Sequence, residues 1–256
     1  NLLDEMVTTT FDVIGDVTFS GGDTFDRDKV HGAIDDYIAE AGKISLFDIL
    51  GFPDWVPRPG RLMSGAALKE MKGIADGAIE ARSRRGHEGV PDLLDLLTFI
   101  VAGHETTALT LAWSMYLMGF DQDVQTRARQ EAQSVLQGRA ATGDDVENLP
   151  FIRMIVDEAL RMYPAAGIIS RTAQKKDMLC DREVLPGDTV MIPIYALGRN
   201  ELLWDDPNAF RPERFADRKA IDRYAYLPFG DGPRICIGAS FALQEAVIIL
   251  ATLLSR

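Results

Sequence analysis

Apolar residues recur at three- and four-residue spacing over seven stretches of the chain, roughly residues 1–19, 28–42, 64–84, 92–120, 122–137, 151–162 and 238–255, and this spacing predicts helices. Strand-like material is confined to IISRTA (168–173) and TVMIPI (189–194), the second introduced by the turn signal Leu185-Pro186-Gly187-Asp188. The pattern predicts a mainly α fold with a small β-sheet beside a helical body, and a single domain over 1–256. From Trp204 to Gly238 the periodicity gives way to loop chemistry, with Pro207, Pro212, Pro228 and Pro233 and with Gly230, Gly232 and Gly238. Trp204, Phe210, Phe215, Tyr224, Tyr226 and Phe229 are candidate anchors for this segment, which predicts an ordered, functional loop. NLLDEMVTTTF opens and IILATLLSR closes the chain inside helical patterns, so the sequence reads as part of a longer protein, incomplete at both ends.

Composition changes this picture little. Of 256 residues, 46% are apolar and 26% charged, enough for one sizeable core. The formal net charge of -12 excludes binding of nucleic acid or an anionic membrane through net charge, and predicts solubility. Two cysteines, Cys180 and Cys236, are too few for a secreted disulfide framework and suit a reducing cytoplasm. No signal peptide or membrane span is read, because the one long apolar stretch, Leu96 to Phe120, is broken at its centre by His104 and Glu105.

Those two residues belong to VAGHETTA (101–108), a polar cluster in an apolar helix. A carboxylate removed from water without a partner costs several kcal/mol, so Glu105 calls for a reason. A zinc helix of the His-Glu-x-x-His kind is excluded, because position 108 is Ala108. Thr106 can return its hydroxyl to the Ala102 carbonyl four residues back, which opens a helix locally and admits water. His104 is expected to face elsewhere.

The second chemical signal is PFGDGPRICIGASFALQEA, in which Gly230, Gly232 and Pro233 lead to Cys236, and Gly238 opens a long helix. A cysteine at a helix N-terminus beside Arg234 suits a metal ligand or a nucleophile. The loop supplies only one such donor, too few for zinc, and no CxxC redox pair is present. One thiolate on a metal implies that a macrocycle supplies the other ligands, as in thiolate-ligated haem. Glu158 and Arg161, three apart on a helix, can pair, and a carboxylate so held can take a second arginine.

On these residues the chain resembles the C-terminal part of a soluble, bacterial-type cytochrome P450, a haem-thiolate monooxygenase. The signature Phe-x-x-Gly-x-Arg-x-Cys-x-Gly is met by Phe229, Gly232, Arg234, Cys236 and Gly238, Glu-x-x-Arg by Glu158 to Arg161, and Pro-Glu-Arg-Phe by Pro212 to Phe215. The resemblance implies the fold of that family and one haem b, with Cys236 as iron ligand and Phe229, Gly230 and Gly238 around it. It implies propionate contacts from Arg234 and Arg171, and a structural clamp of Glu158, Arg161 and Arg214. VAGHETTA becomes the distal helix, with Ala102 and Gly103 leaving a groove for dioxygen and Glu105 and Thr106 relaying protons to it. Thr98, Ala102, Ala166 and Ile168 become pocket residues for a lipophilic small molecule, hydroxylated or epoxidised.

The resemblance implies electrons from a ferredoxin or flavodoxin with its NAD(P)H reductase, docking on the Cys236 side through a local basic patch that includes Arg234. A peroxide-dependent peroxygenase is the nearest rival, but those branches carry Arg-Pro in place of Glu105-Thr106. A haem sensor or carrier without turnover leaves the acid-alcohol pair without a purpose. Compared with the family, an N-terminal region and a C-terminal hairpin are lacking, and the join PDLLDLLTFIVAG implies residues missing near Asp95. Gly198 stands where the family often has histidine, a difference that the sequence does not explain.

Overall fold

The structure, a computed structural model, describes residues 1–19, 32, 34 and 93–256. The helices read at 28–42 and 64–84 fall almost wholly outside these residues. The main helices described are α1 (Leu2–Phe19), α2 (Leu93–Phe120), α3 (Gln122–Leu136), α4 (Pro150–Met162), the short α5 (Ile194–Leu197) and α6 (Ala239–Leu254). Except for α5, which the periodicity does not predict, their bounds lie within a residue or two of the apolar periodicity. Two compact units are distinguished, one of Asn1–Met6 with Thr106–Arg256, the other of Val7–Glu105.

In the first unit α3, α4 and α6 pack on one another. Val124, Ala128, Ala132 and Leu136 form the buried stripe of α3, the spacing of four expected of one helix face. Ile152, Ile155 and Val156 from α4 and Val247, Leu250 and Ala251 from α6 are likewise buried. Asp121 caps α3 by accepting from the Val124 N–H at 3.0 Å. At the start of α4, Leu149 has no capping side chain, and Glu131 of α3 accepts the Phe151 and Ile152 N–H groups at 2.9 Å each. A carboxylate there also meets the positive end of the helix dipole. Trp113 of α2 stacks on Tyr163, with ring centroids 4.0 Å apart, just past the end of α4.

The strand material is two antiparallel pairs. β1 (Ile169–Thr172) pairs with β4 (Thr189–Ile192), Ile169 opposite Ile192 and Thr172 opposite Thr189. The turn before β4 uses Gly187 at φ +95° and the Asp188 carboxylate, which accepts the Leu185 N–H at 2.8 Å. β2 (Asp177–Leu179) and β3 (Arg182–Val184) form a hairpin that the polar sequence KKDMLCDRE hides. Its tip is Cys180 and Asp181, both at positive φ, the geometry that Asn-Gly normally signals.

The segment 204–238 is ordered by short 3-10 turns at Pro212–Phe215, Arg218–Ala220 and Gly232–Arg234. Trp204, Phe215 and Ala225 are buried together with Tyr226 against them, whereas Tyr224, read as an anchor, lies exposed.

The second unit is described at its two ends and at Gly32 and Ile34. There Thr10 of α1 donates to the His104 carbonyl at 2.8 Å, and Phe11 meets the His104 ring edge-on at 5.6 Å.

Candidate functional site

The most connected polar group among the described residues begins with the helical spacing of α4. Glu158 and Arg161 lie on one face and pair through two bonds, Nε to Oε2 at 2.7 Å and a terminal guanidinium nitrogen to Oε1 at 2.8 Å. Both side chains are fully buried. Arg161 also donates to the carbonyls of Gly198 at 2.5 Å, Pro207 at 2.8 Å and Ala209 at 3.3 Å, and its guanidinium lies 5.2 Å from the Trp204 ring. Glu158 Oε1 accepts two further bonds, from the Arg211 backbone N–H at 2.9 Å and from Arg214 Nε at 3.3 Å. Burial lowers Arg214, opposed mainly by the Glu158 charge. Beyond the bonds within the pair, its remaining contacts tie α4 to the segment 198–214, and this full use of the polar atoms is how a buried ion pair offsets its desolvation.

Gly198 gains a reason here. A Cβ at that position would lie 2.2 Å from the Arg161 carbonyl oxygen, so the close approach that brings the Gly198 carbonyl to Arg161 admits no side chain without a backbone shift.

One residue earlier, Asp157 gathers a second network that the sequence reading missed. It accepts from Arg153 Nε at 3.0 Å, from Arg218, and from the Tyr226 hydroxyl at 3.0 Å. Burial, and next the Asp157 carboxylate, push the Tyr226 hydroxyl well above the usual phenol range. The signal available was the spacing of Arg153 and Asp157, four apart on the same helix. These two networks hold both ends of the segment that leads to the cysteine.

The cysteine loop closes on itself. The Gly230 N–H donates to the Leu227 carbonyl at 3.1 Å, the Ile235 N–H to Gly232 at 3.1 Å, and the Cys236 N–H returns to the Phe229 carbonyl at 2.9 Å. Gly230 and Gly232 sit at φ +73° and +71°, where a side chain would be strained. Gly230 also lies against Ile169 of β1, whose Cδ1 would be 3.5 Å from an added Cβ. Gly238 is the N-cap of α6, so Cys236 stands two residues before the cap.

The Cys236 thiol is exposed, flanked by Ile235 at 55% and Ile237 at 87% exposure. Arg234 is exposed beside them with no ion pair among the described residues. Arg171 lies exposed on β1, where it donates to the neighbouring Ser170 carbonyl at 2.8 Å. Ala166 and Ile168, read as pocket residues, are exposed between α4 and β1.

The polar cluster of α2 falls where the two units divide. In the second unit Ala102 is exposed and His104 buried, and the space beside Gly103 is taken by Ile14, whose Cδ1 would lie 3.1 Å from an added Cβ. Gly103 thus gives close packing to α1 on that side. Glu105 is half-buried, and Thr106, next in the chain and first residue of the resumed unit, is exposed. Beyond it Thr110 returns its hydroxyl to the Thr106 carbonyl at 2.8 Å and Ser114 to Thr110 at 2.7 Å, so hydroxyl back-bonding runs along this face of α2. Thr98 lies within α2, its side chain outside the described residues.

These residues fit a haem. Among the described residues no group of three or more His, Cys, Asp or Glu could hold a metal ion by itself. One soft thiol amid exposed isoleucines, with an unpaired arginine beside it, suits a flat apolar macrocycle that brings its own nitrogen ligands and two carboxylates. No helix among the described residues is long and apolar enough to cross a membrane.

Comparison with known proteins agrees with the residues. The family described as Cytochrome P450 matches residues 93–256. The chain is 35% identical over 230 residues to cyclooctat-9-en-7-ol 5-monooxygenase of Streptomyces melanosporofaciens, covering 81% of this chain and 50% of that protein. It is 31% identical to bifunctional cytochrome P450/NADPH–P450 reductase 2 of Bacillus subtilis over its whole length and 27% of that protein. It is 38% identical to human cytochrome P450 3A5, over 69% of this chain and 36% of that one. The chain spans half or less of these relatives' lengths. With the complete cysteine signature, the buried Glu-x-x-Arg pair and these similarities, the chain belongs to the cytochrome P450 family.

Proposed function

We propose that the protein is a haem-thiolate monooxygenase that inserts one oxygen atom from dioxygen into a lipophilic small molecule, by hydroxylation or epoxidation. The observation that carries the reading is the Cys236 loop, which presents one exposed thiol on a surface that is apolar and bordered by an unpaired arginine. In this reading Cys236 is the metal ligand of a haem b, Phe229, Gly230 and Gly238 shape the loop around it, and Arg234 and Arg171 hold the propionates. When bound, the haem supplies the activation of dioxygen. Glu158, Arg161 and Arg214 position the loop by fixing the segment before it.

On the distal side Glu105 exchanges protons with solvent and the Thr106 hydroxyl passes them on, accepting one hydrogen bond while donating another. Exposed Ala102 leaves room for dioxygen, whereas Gly103, expected to share that role, packs against Ile14 instead, and Thr98, Ala102, Ala166 and Ile168 contribute small or apolar pocket surface. Electrons come from a ferredoxin or flavodoxin with its NAD(P)H reductase, drawn to the Cys236 side. The Bacillus subtilis relative is named as a bifunctional P450 and NADPH–P450 reductase, which supports an NAD(P)H-dependent reductase as the route by which electrons arrive. The two free, exposed cysteines suit a cytoplasmic setting.

The test is turnover of the full-length protein on lipophilic probe substrates, with isotopically labelled dioxygen and a ferredoxin–reductase system. The reading requires label in the product and loss of that product in Thr106→Ala and Glu105→Gln. Product formed equally well from hydrogen peroxide alone, with both variants unimpaired, would contradict the acid-alcohol relay.

A further inference from the structure

The stretch that turns the chain toward Cys236 reads Gly230-Asp231-Gly232-Pro233, and Asp231 is the one residue in it whose side chain can accept a hydrogen bond. Gly230 and Gly232 both take positive φ, so the backbone bends on either side of Asp231 at residues that have no side chain to hold the bend. The loop's backbone bonds, Gly230 N–H to Leu227, Ile235 N–H to Gly232 and Cys236 N–H to Phe229, use neither the N–H nor the carbonyl of Asp231 among the described residues. What holds it is Arg223, eight residues earlier, whose terminal guanidinium nitrogen donates to Asp231 Oδ1 at 2.6 Å. That bond, and next the Gly232 N–H, keep the Asp231 carboxyl below the usual carboxylate range.

The Arg223 side chain is 69% exposed and that of Asp231 24%. An exposed pair contributes little when both side chains must be ordered to form it. Here the backbone does much of the ordering. Asp222 accepts the Tyr224 N–H on Oδ1 at 2.7 Å and the Ala225 N–H on its carbonyl at 3.0 Å, a tight turn that carries Arg223 at its apex. Ala225 is buried with Trp204 and Phe215, and Tyr226 is bonded to Asp157 of α4, so the turn is anchored directly behind Arg223. The guanidinium also lies 5.5 Å from the Tyr224 ring.

We propose that Arg223 is a positioning residue for Cys236: by gripping Asp231 it fixes the bend between Gly230 and Gly232, and with it the direction in which the thiol leaves the loop. The inference rests on the reading of Cys236 as the haem ligand. The Phe229 carbonyl that accepts the Cys236 N–H at 2.9 Å lies directly before the bend, so a rotation at either glycine is passed to the cysteine through that bond. Outer groups that orient a metal ligand govern how firmly the metal keeps it.

The experiment follows the carbon-monoxide complex of the reduced, haem-loaded full-length protein at a fixed, sub-denaturing guanidinium concentration. It times the decay of the red-shifted Soret band while circular dichroism monitors the helices. Arg223→Gln and Asp231→Asn should each lose the band about two- to fivefold faster than the wild type with the helical signal unchanged, the range that one exposed charge pair supplies. The double variant should decay no faster than either single one, because both remove the same contact, and Arg223→Lys should fall between wild type and Arg223→Gln. Single variants that decay at the wild-type rate, or effects that multiply in the double variant, overturn the proposal. A helical signal lost in step with the band overturns the positioning role in favour of a general loss of stability.

A wild type without a red-shifted band marks failure of the thiolate reading, and alkylation then judges Arg223 by itself. With Cys180 as internal reference, the rate at Cys236 should change by about two- to fivefold in Arg223→Gln, and an unchanged ratio overturns the proposal.

Discussion

Replacing Arg161 by alanine tests the clamp most severely. The substitution leaves the Glu158 carboxylate, fully buried, with the Arg211 N–H at 2.9 Å and Arg214 Nε at 3.3 Å, and leaves the carbonyls of Gly198, Pro207 and Ala209 without their donor. Removing one partner of a buried ion pair costs about 3–5 kcal/mol, and each orphaned carbonyl that water fails to reach adds about 1–3 kcal/mol. Arg214 and water entering the space work against these losses, so the expected net cost is about 3–5 kcal/mol. An internal control is Arg127→Ala, which breaks the pair with Glu213 where both side chains are about half exposed, and should cost no more than about 1 kcal/mol. The assay is guanidinium unfolding of the full-length protein, with the slope checked so that midpoints convert to free energies. Replacing Glu158 and Arg161 together by apolar residues of similar volume should cost less than Arg161→Ala alone. If Arg161→Ala unfolds within about 1 kcal/mol of the wild type, the pair is not the tie between α4 and the segment before the cysteine.

Other outcomes follow from single contacts. Gly198→Ala places a Cβ against the Arg161 carbonyl and should destabilise by about 1–3 kcal/mol in the same unfolding assay. Asp145 is held well below the usual carboxylate range by the bond from Arg139 and then by the Thr142 N–H, so its stabilisation is present above that range and is lost progressively as the pH falls from it to the lower folded-state value. Thermal melts should therefore show Asp145→Asn less stable than wild type at neutral pH, with the gap closing in acid. Haem loading should protect Cys236 but leave Cys180 open to alkylation, read by peptide mass mapping, because only the first lies in the loop assigned to the iron.

How much of this was legible in the sequence depends on what each element's pattern encodes. Helices carry their own periodicity, and α2, α3, α4 and α6 begin and end close to where the apolar spacing begins and ends. The Glu158–Arg161 pair was legible because three-residue spacing on a helix brings side chains together without help from the rest of the fold. Burial was not legible, because the same spacing describes a solvated pair; the difference is made by three carbonyls contributed from residues 198–209, far along the chain. The β2–β3 hairpin escaped because Cys180 and Asp181 adopt positive φ without the glycine that usually announces such a turn. Gly198 was unreadable until the Arg161 carbonyl stood beside it. Glu245 looked like one polar residue of a long helix, and nothing in that helix's pattern announces its burial. The cysteine loop was the opposite case, since its glycines at positive φ and its single thiol are both written locally.

The central claim is that Cys236 ligates haem iron through a thiolate. The visible spectrum of the purified full-length protein, reduced and exposed to carbon monoxide, tests it directly. A strongly red-shifted Soret band that disappears in Cys236→Ser is the predicted result. A protein that binds no haem, or whose band sits where histidine ligation places it, would contradict the account.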